Sequence, residues 1–135
     1  LAAATAFCHQ INNPEDDLNV SSIPKALIPF NPVIDNGPHG YGFDRVKDYY
    51  RDFSPIHNIK KDAPPAIFFL GSEDNIVLLE TALKFKKKME HVGSRCDLLL
   101  YPGQKHGFFN AKFEEFFEKT MSATVVFLKS LGYIK

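Results

Sequence analysis

The chain has 135 residues, of which 44% are apolar, and its 16 basic and 16 acidic side chains give a formal net charge of zero. This length accommodates at most one domain, and the composition is that of a globular protein with a packed core. The charge balance excludes an overall field that attracts nucleic acid or an anionic membrane, and no apolar run reaches the length of a membrane span. Cys8 and Cys96 are too few for a disulfide framework and are expected to be buried.

The chain opens on a helix, which a short strand follows after a polar loop. Residues 1–7 (L-A-A-A-T-A-F) predict a helix, and no capping residue precedes it, so we expect the chain to be part of a longer one. Residues 26–30 (A-L-I-P-F) predict the strand. Pro29 cannot donate a hydrogen bond to a neighbouring strand and should therefore lie at the strand end or near a sheet edge.

Residues 31–55 predict an insertion that acts as a lid or binding loop, because so long an irregular segment within a compact domain usually has a function. Its centre is rich in glycine and aromatic residues, and a short helix is expected near residues 45–50. His39, Tyr41 and Phe43 in this centre are candidates for lining a substrate pocket. Ordinary packing within the lid is an equal alternative for these side chains.

Strands and helices alternate in the remainder of the chain. Residues 66–71 and 97–101 predict strands, the first buried on both faces because its apolar residues do not alternate with polar ones. Helices are expected over residues 76–92 and 111–131. The element order predicts an α/β fold with three mostly parallel strands, flanking helices and right-handed crossovers. The buried stripes expected on these helices are Leu78, Ala82, Phe85, Met89 and Val92 on the first, and Phe113, Phe117, Thr120, Thr124, Phe127 and Leu131 on the second.

Asp74 and His106 follow the ends of these two strands, three residues after the first and five residues after the second. One crossover helix separates the strands, so we expect them to be neighbours whose carboxyl ends share one edge of the sheet. A carboxylate at this edge can accept the Nδ1 proton of the imidazole, fix its tautomer and stabilise the imidazolium ion. We interpret the pair as the acid and the base of a nucleophilic hydrolase.

Each of these residues also has a purely structural interpretation. Asp74 could be a turn residue or the N-cap of the helix that follows, and His106 could be an ordinary loop histidine. The remaining histidines lie on separate segments and lack the spacing of a zinc motif, so no metal site is predicted. The lysines of residues 84–88 are interpreted as a solvated helix face.

The segments G-S-E-D at residues 71–74 and Y-P-G-Q-K-H-G-F at residues 101–108 resemble the acid and histidine loops of the α/β-hydrolase superfamily. The likeness is strongest to its small esterases and lipases, including acetyl-xylan-esterase-like and feruloyl-esterase-like enzymes, which are related to dienelactone hydrolases. It covers essentially the whole chain, and residues 1–7 are similar to the helix after the nucleophile elbow. The resemblance implies that residues 1–135 are the C-terminal part of a single α/β-hydrolase domain.

The same resemblance implies a Ser-Asp-His triad in which Asp74 is the acid and His106 the base. It implies a small-molecule or carbohydrate ester as substrate and no metal or organic cofactor. Phe108 and Phe109, beside the histidine, are candidates for shaping the substrate pocket together with the insertion.

The nucleophile of such a triad is not found in this sequence. No G-x-S-x-G elbow is present, and Ser54, Ser72 and Ser94 do not lie in a strand-to-helix elbow of this kind. We therefore expect the serine upstream of Leu1 and predict that this chain alone is inactive. We also expect a missing N-terminal half, another copy or another chain to cover the open edge of its sheet.

Two other functions remain open at this point. A peptidase of the prolyl-oligopeptidase type and a dienelactone-hydrolase-like enzyme have acid and histidine loops of the same kind. A degenerate hydrolase that serves as a non-catalytic binding module is the alternative outside enzymes.

Overall fold

A computed structural model describes residues 2–10 and 13–135 of the chain. Its helices are α1 (Ala2–Phe7), α2 (Phe43–Val46), α3 (Tyr50–Phe53), α4 (Leu79–His91) and α5 (Glu114–Ser130), and its strands are β1 (Ala66–Gly71) and β2 (Cys96–Tyr101). Two short 3-10 helices, Lys47–Tyr49 and Pro55–His57, lie beside α3 in the chain. The predicted N-terminal helix is confirmed for its described residues, and Leu1 lies outside them. The element order confirms an alternating α/β chain.

The strands β1 and β2 pair in parallel, with Phe68 opposite Leu98. The predicted strand at residues 26–30 is reduced to two isolated parallel bridges, which join Leu27 to Ala66 and Phe30 to Phe69. Pro29 explains the interruption, because its ring nitrogen has no hydrogen to donate to β1. The neighbouring amides of Leu27 and Asn31 do donate, to the carbonyl oxygens of Pro65 and Phe69.

Strand β1 is buried along its whole length, as the unbroken apolar run predicts. Successive side chains of a strand point to opposite faces. Accordingly Phe68 belongs to a core cluster that includes Phe7 of α1 and Phe85 of α4. Phe69 belongs to a second cluster on the other face, where Phe127 of α5 lies. The helices therefore cover both faces of β1.

Strand β2 is less buried than β1. Only Cys96 is fully buried, and Leu100 keeps 42% of its surface exposed. Among the described residues β2 pairs only with β1, so its outer edge is open. An edge strand contacts fewer neighbours than a central one, and this accounts for the difference.

The helix predictions require two corrections. Helix α4 begins at Leu79, so Leu78 precedes it with extended backbone and is 47% exposed, while Val77 takes the buried position. Phe113, which directly precedes α5, and Phe117 on α5 are exposed rather than buried, and Leu131 after α5 is only partly buried. Thr120, Thr124 and Phe127 are buried as predicted. Both threonine hydroxyls donate to helix carbonyl oxygens one turn earlier, which allows them to face the core. The exposed side chains Phe113, Phe117, Met121 and Val125 recur every four residues and form a stripe beside the buried face.

The insertion (residues 31–55) contains α2, α3 and the 3-10 helix between them, where one short helix is predicted. Its first half is anchored in the domain by Asn31, Ile34 and Asn36, all of which are buried. Its action as a lid stays a prediction. Among residues 2–10 and 13–135, no helix is long and apolar enough to cross a membrane.

Candidate active site

The parallel pairing of β1 and β2 brings Asp74 and His106 together at one edge of the sheet. The two strands end in register, with Gly71 opposite Tyr101. Nδ1 of His106 lies 2.9 Å from Oδ2 of Asp74. The aspartate side chain is fully buried, whereas 38% of the histidine side chain is exposed. The pair thus has a buried carboxylate and an imidazole that solvent or a substrate can reach.

The protonation of the imidazole follows from its partner. An ionised carboxylate can only accept hydrogen bonds, so the 2.9 Å contact requires the proton on Nδ1. In the neutral ring Nε2 is then the unprotonated nitrogen and can take a proton from another group. The geometry therefore fits a general base whose tautomer is fixed by a carboxylate.

Backbone and side-chain donors satisfy the buried carboxylate of Asp74. Its Oδ1 accepts from the backbone amides of Ile76 and Val77, both at 2.9 Å. Its Oδ2 accepts from His106 and also from Nδ2 of Asn31 at 2.6 Å. Asp74 is therefore both a turn residue and the partner of His106. Its Oδ1 binds the amides of the turn, while its Oδ2 binds the histidine.

Asn31 was not predicted as a site residue. It is 3% exposed and follows the short bridged segment, so a third strand end contributes a side chain to the same edge as Asp74 and His106. The signal in the sequence is a polar residue directly after an apolar run, which marks the carboxyl end of a strand. The interruption at Pro29 and the following loop hide that signal.

The acid loop and the histidine loop also contact each other directly through backbone groups. The amide of Glu73 donates to the carbonyl oxygen of Gln104 at 2.9 Å. The hydroxyl of Ser72 accepts from the amide of Gly103 at 2.8 Å. Gly103 has a φ of 70° and follows proline in a turn closed by the amide of Gln104, as a type II turn requires. These contacts fix the position of the loop that carries His106.

The five predicted pocket residues lie in three different places. His39 and Tyr41 line a cavity of about 290 Å³ beside Asn75 and Ile76, which directly follow Asp74. Phe43 packs edge-on against Tyr50 within the insertion, with ring centroids 5.6 Å apart.

Phe108 is 4% exposed, and its ring packs tilted against Tyr101 with centroids 4.7 Å apart. Phe109 packs tilted against Phe30 with centroids 4.8 Å apart. These two rings belong to the core cluster beneath α5. A role against substrate stays a prediction for all five residues.

A serine–histidine contact occurs outside this site. Nδ1 of His57 lies 2.9 Å from Oγ of Ser54, and 3.9 Å from Oδ1 of Asp35. Ser54 is completely buried, and its Oγ also accepts from the amide of Asn36. Burial lowers the pKa of His57, opposed by the Asp35 carboxylate and reinforced by Lys88 and Arg51. A hydroxyl without access to solvent cannot attack a substrate, so this cluster holds the insertion in place.

The two cysteines are buried, as predicted. Burial raises the pKa of Cys96 to about 12 and also raises that of Cys8. Neither thiol is therefore activated as a nucleophile. Among the residues that the structure describes, no group of three or more His, Cys, Asp or Glu side chains could hold a metal ion.

Comparison with known proteins finds a matching family model and curated relatives of similar sequence. The model of the prolyl oligopeptidase family matches residues 31–130. Esterase LipC from Mycobacterium tuberculosis is 36% identical over 66 residues, which are 48% of this chain and 16% of that protein. Acylamino-acid-releasing enzyme 1 from Oryza sativa subsp. japonica is 27% identical over 90 residues, which are 67% of this chain and 11% of that enzyme.

The chain is also similar to solved structures of an esterase from Thermogutta terrifontis. The structure of this esterase with bound propionate has a TM-score of 0.85 and 32% identity, and the match covers 98% of this chain and 52% of that one. The structure of esterase 2 phosphonylated by cyclosarin has a TM-score of 0.89 and 34% identity, with 98% and 50% covered. The chain thus spans about half the length of these solved esterases and a smaller share of the two curated relatives.

Proposed function

This chain belongs to the prolyl oligopeptidase family and has an α/β-hydrolase fold, and from this premise we propose that it supplies the acid and the base of a serine esterase. The observation that carries the proposal is the 2.9 Å contact between Nδ1 of His106 and Oδ2 of Asp74 at the carboxyl edge of the sheet. The likeness to two esterases supports carboxylic esters as the substrates.

In the proposed reaction, Nε2 of His106 takes the proton of a serine hydroxyl while the serine oxygen attacks the ester carbonyl carbon. Asp74 stabilises the resulting imidazolium ion through the Nδ1 hydrogen bond. When the tetrahedral intermediate collapses, His106 gives the proton to the leaving alcohol, and the acyl group stays on the serine. His106 then takes a proton from a water molecule whose oxygen attacks the acyl carbon. When the bond to the serine oxygen breaks, His106 returns the proton to that oxygen and the carboxylic acid leaves.

The serine of this mechanism lies outside the 135 residues in our proposal, because the sequence contains no G-x-S-x-G elbow. These residues expressed alone should therefore show no esterase activity. The likeness to solved structures twice as long supports this assignment. In the intact protein the remaining residues would supply the serine and the donors for the oxyanion.

The substrate in this proposal is a small-molecule or carbohydrate ester, with the detailed acyl and alcohol groups set by the pocket. The cavity lined by His39 and Tyr41 is the candidate for part of that pocket, because it adjoins the segment after Asp74. An ester with a short acyl group is the first substrate to test, since the related esterase was solved with propionate bound.

The proposal also needs a partner for the apolar surface that the described residues leave exposed. This surface consists of the open edge of β2 and the stripe Phe113, Phe117, Met121 and Val125, which begins at the residue before α5 and continues along that helix. Exposed strand edges and apolar stripes of this kind favour association. We propose that the rest of the protein, another copy or another chain covers it.

The direct test is labelling of the intact protein with a fluorophosphonate probe, which reacts with activated serines. His106→Ala should slow labelling by at least about 10³-fold, because the serine loses its base. His91→Ala is the matched control, since His91 is exposed at the end of α4, away from the site. Equal labelling of the His106→Ala variant and the unsubstituted protein would show that His106 is not the base. An unsubstituted protein that is not labelled at all would favour the non-catalytic binding role.

A peptidase of the same family is the second candidate function. The matching family model and the likeness to an acylamino-acid-releasing enzyme favour it. The two functions differ in the bond that is cleaved, so a p-nitrophenyl propionate assay can be compared with an N-acetyl-alanine p-nitroanilide assay. Preferential cleavage of the anilide would select the peptidase.

A further inference from the structure

Asn31 links the loop of Asp74 to the loop of His106 through a single side chain. Its Nδ2 donates to Oδ2 of Asp74 at 2.6 Å, and its Oδ1 accepts from the amide of Gly107 at 3.3 Å. A primary amide has one donor end and one acceptor end, and here each end serves a different loop. The side chain therefore sets the distance between the buried carboxylate and the backbone next to the histidine.

The backbone holds Asn31 firmly in this orientation. Its amide donates to the carbonyl oxygen of Phe69 at 3.0 Å, which ties the residue to the central strand β1. Its φ is 42°, in the left-handed region that residues other than glycine and asparagine seldom adopt. A conformation of this kind persists only where the surroundings impose it, and here it directs the amide at Asp74.

We infer that Asn31 is a positioning residue for the Asp74–His106 pair, an inference that rests on the hydrolase function proposed above. Oδ2 of Asp74 accepts from Asn31 and His106, while the amides of Ile76 and Val77 hold Oδ1. With both oxygens fixed, Oδ2 stays directed at Nδ1 of His106. Without Asn31, Oδ2 loses one partner and the amide of Gly107 loses its acceptor, so the histidine loop can move away from the carboxylate.

Two substitutions of Asn31 separate its two contacts. Asn31→Gly removes both contacts while tolerating the positive φ. Asn31→Asp keeps the shape and an acceptor for Gly107, but it replaces the donor to Asp74 by a second acidic group. Asn58→Gly is the matched control, because Asn58 also donates from its side chain to backbone carbonyl oxygens, those of Arg51 and Ser54, outside the site.

The experiment measures kcat and KM for p-nitrophenyl propionate, the Tm, and the Nδ1 proton signal of His106 by NMR, all in the intact protein. We expect both Asn31 variants to lower kcat on the order of 10-fold to 100-fold with little change in KM, since the base is displaced rather than the substrate. The downfield Nδ1 proton signal should weaken or move upfield. Asn58→Gly should lower the Tm and leave kcat and the proton signal unchanged.

A merely structural Asn31 would lower the Tm like Asn58 and leave kcat within about twofold. That result, or an unchanged Nδ1 proton signal in both Asn31 variants, overturns the inference. The Asp74→Asn variant separates a failure of the positioning role of Asn31 from a failure of the proposed hydrolase function. If Asp74→Asn is inactive while both Asn31 variants are fully active, only the positioning role is wrong. If Asp74→Asn keeps full activity, the proposed hydrolase function fails and the inference fails with it.

Discussion

Gly71, the last residue of β1, lies directly against the backbone of Gln104 in the histidine loop. A Cβ atom built on Gly71 would lie 2.2 Å from the carbonyl oxygen of Gln104, well inside van der Waals contact. The neighbouring amide of Glu73 donates to the same oxygen. Only a residue without a side chain allows the loop of His106 to approach the acid loop this closely.

The first prediction concerns this close approach. Gly71→Ala should lower the free energy of unfolding by about 1–3 kcal/mol, because backbone atoms must shift to admit the methyl group. The displaced loop carries His106, so kcat should fall as well. Urea unfolding and ester hydrolysis by the intact protein measure the two effects.

The control for this substitution is Gly132→Ala, after the end of α5. Gly132 has a φ of 72° and open space around it, so alanine there is strained without pressing on any neighbour. It should reduce stability and leave kcat unchanged. A Gly71→Ala variant with undiminished kcat would show that this contact does not position the histidine.

The second prediction concerns the pH dependence of stability through His57. Burial lowers its pKa below the ordinary 6.5, so the unfolded chain binds a proton there more readily than the folded one. Its contribution to stability is thus present above pH 6.5 and is lost as the pH falls through the lower folded-state pKa. His57→Asn retains an acceptor for the Ser54 hydroxyl and removes the titration.

Thermal unfolding of both proteins between about pH 5 and pH 7 measures this contribution. The Tm of the unsubstituted protein should decline more steeply toward acid pH than that of His57→Asn. Parallel declines would mean that protonation of His57 does not act on the folded state.

The third prediction concerns Cys96, the first residue of β2. Burial raises its pKa to about 12, and only 3% of the residue is exposed. The thiol should therefore not react with iodoacetamide in the folded protein at pH 8, although it should react after unfolding in urea. Mass spectrometry of tryptic peptides locates the modification. Rapid alkylation of Cys96 in the folded protein would contradict its placement in the core.

The sequence predicted the Asp74–His106 pair because both residues follow runs of consecutive apolar residues, 66–70 and 98–101. Parallel strands joined by one crossover helix place their ends side by side, so the chemistry could be inferred from topology alone. The serine–histidine contact between Ser54 and His57 could not be inferred in this way. It depends on how the insertion packs, and no strand end marks it.

The incorrect predictions have equally local causes. The bridged segment at residues 26–30 was predicted as a strand, but Pro29 removes the middle hydrogen bond of its ladder. Phe113 and Phe117 belong to an exposed apolar stripe that lies next to the buried stripe of α5. Hydrophobicity alone does not show which of these two stripes faces the core. The hydroxyls of Thr120 and Thr124 donate hydrogen bonds within the helix, so the stripe that contains them can face the core although it is less apolar.

The central claim is that Asp74 holds His106 in the tautomer that a general base needs, and the most direct measurement is the kcat of the Asp74→Asn variant in the intact protein. Asparagine keeps the shape of the side chain, but it can no longer stabilise the imidazolium ion through Nδ1. We predict that kcat for p-nitrophenyl propionate falls by about 10⁴-fold. The Tm should fall as well, because the new amide nitrogen faces a buried donor where a carboxylate oxygen accepted one. A folded Asp74→Asn variant with undiminished kcat would contradict the account.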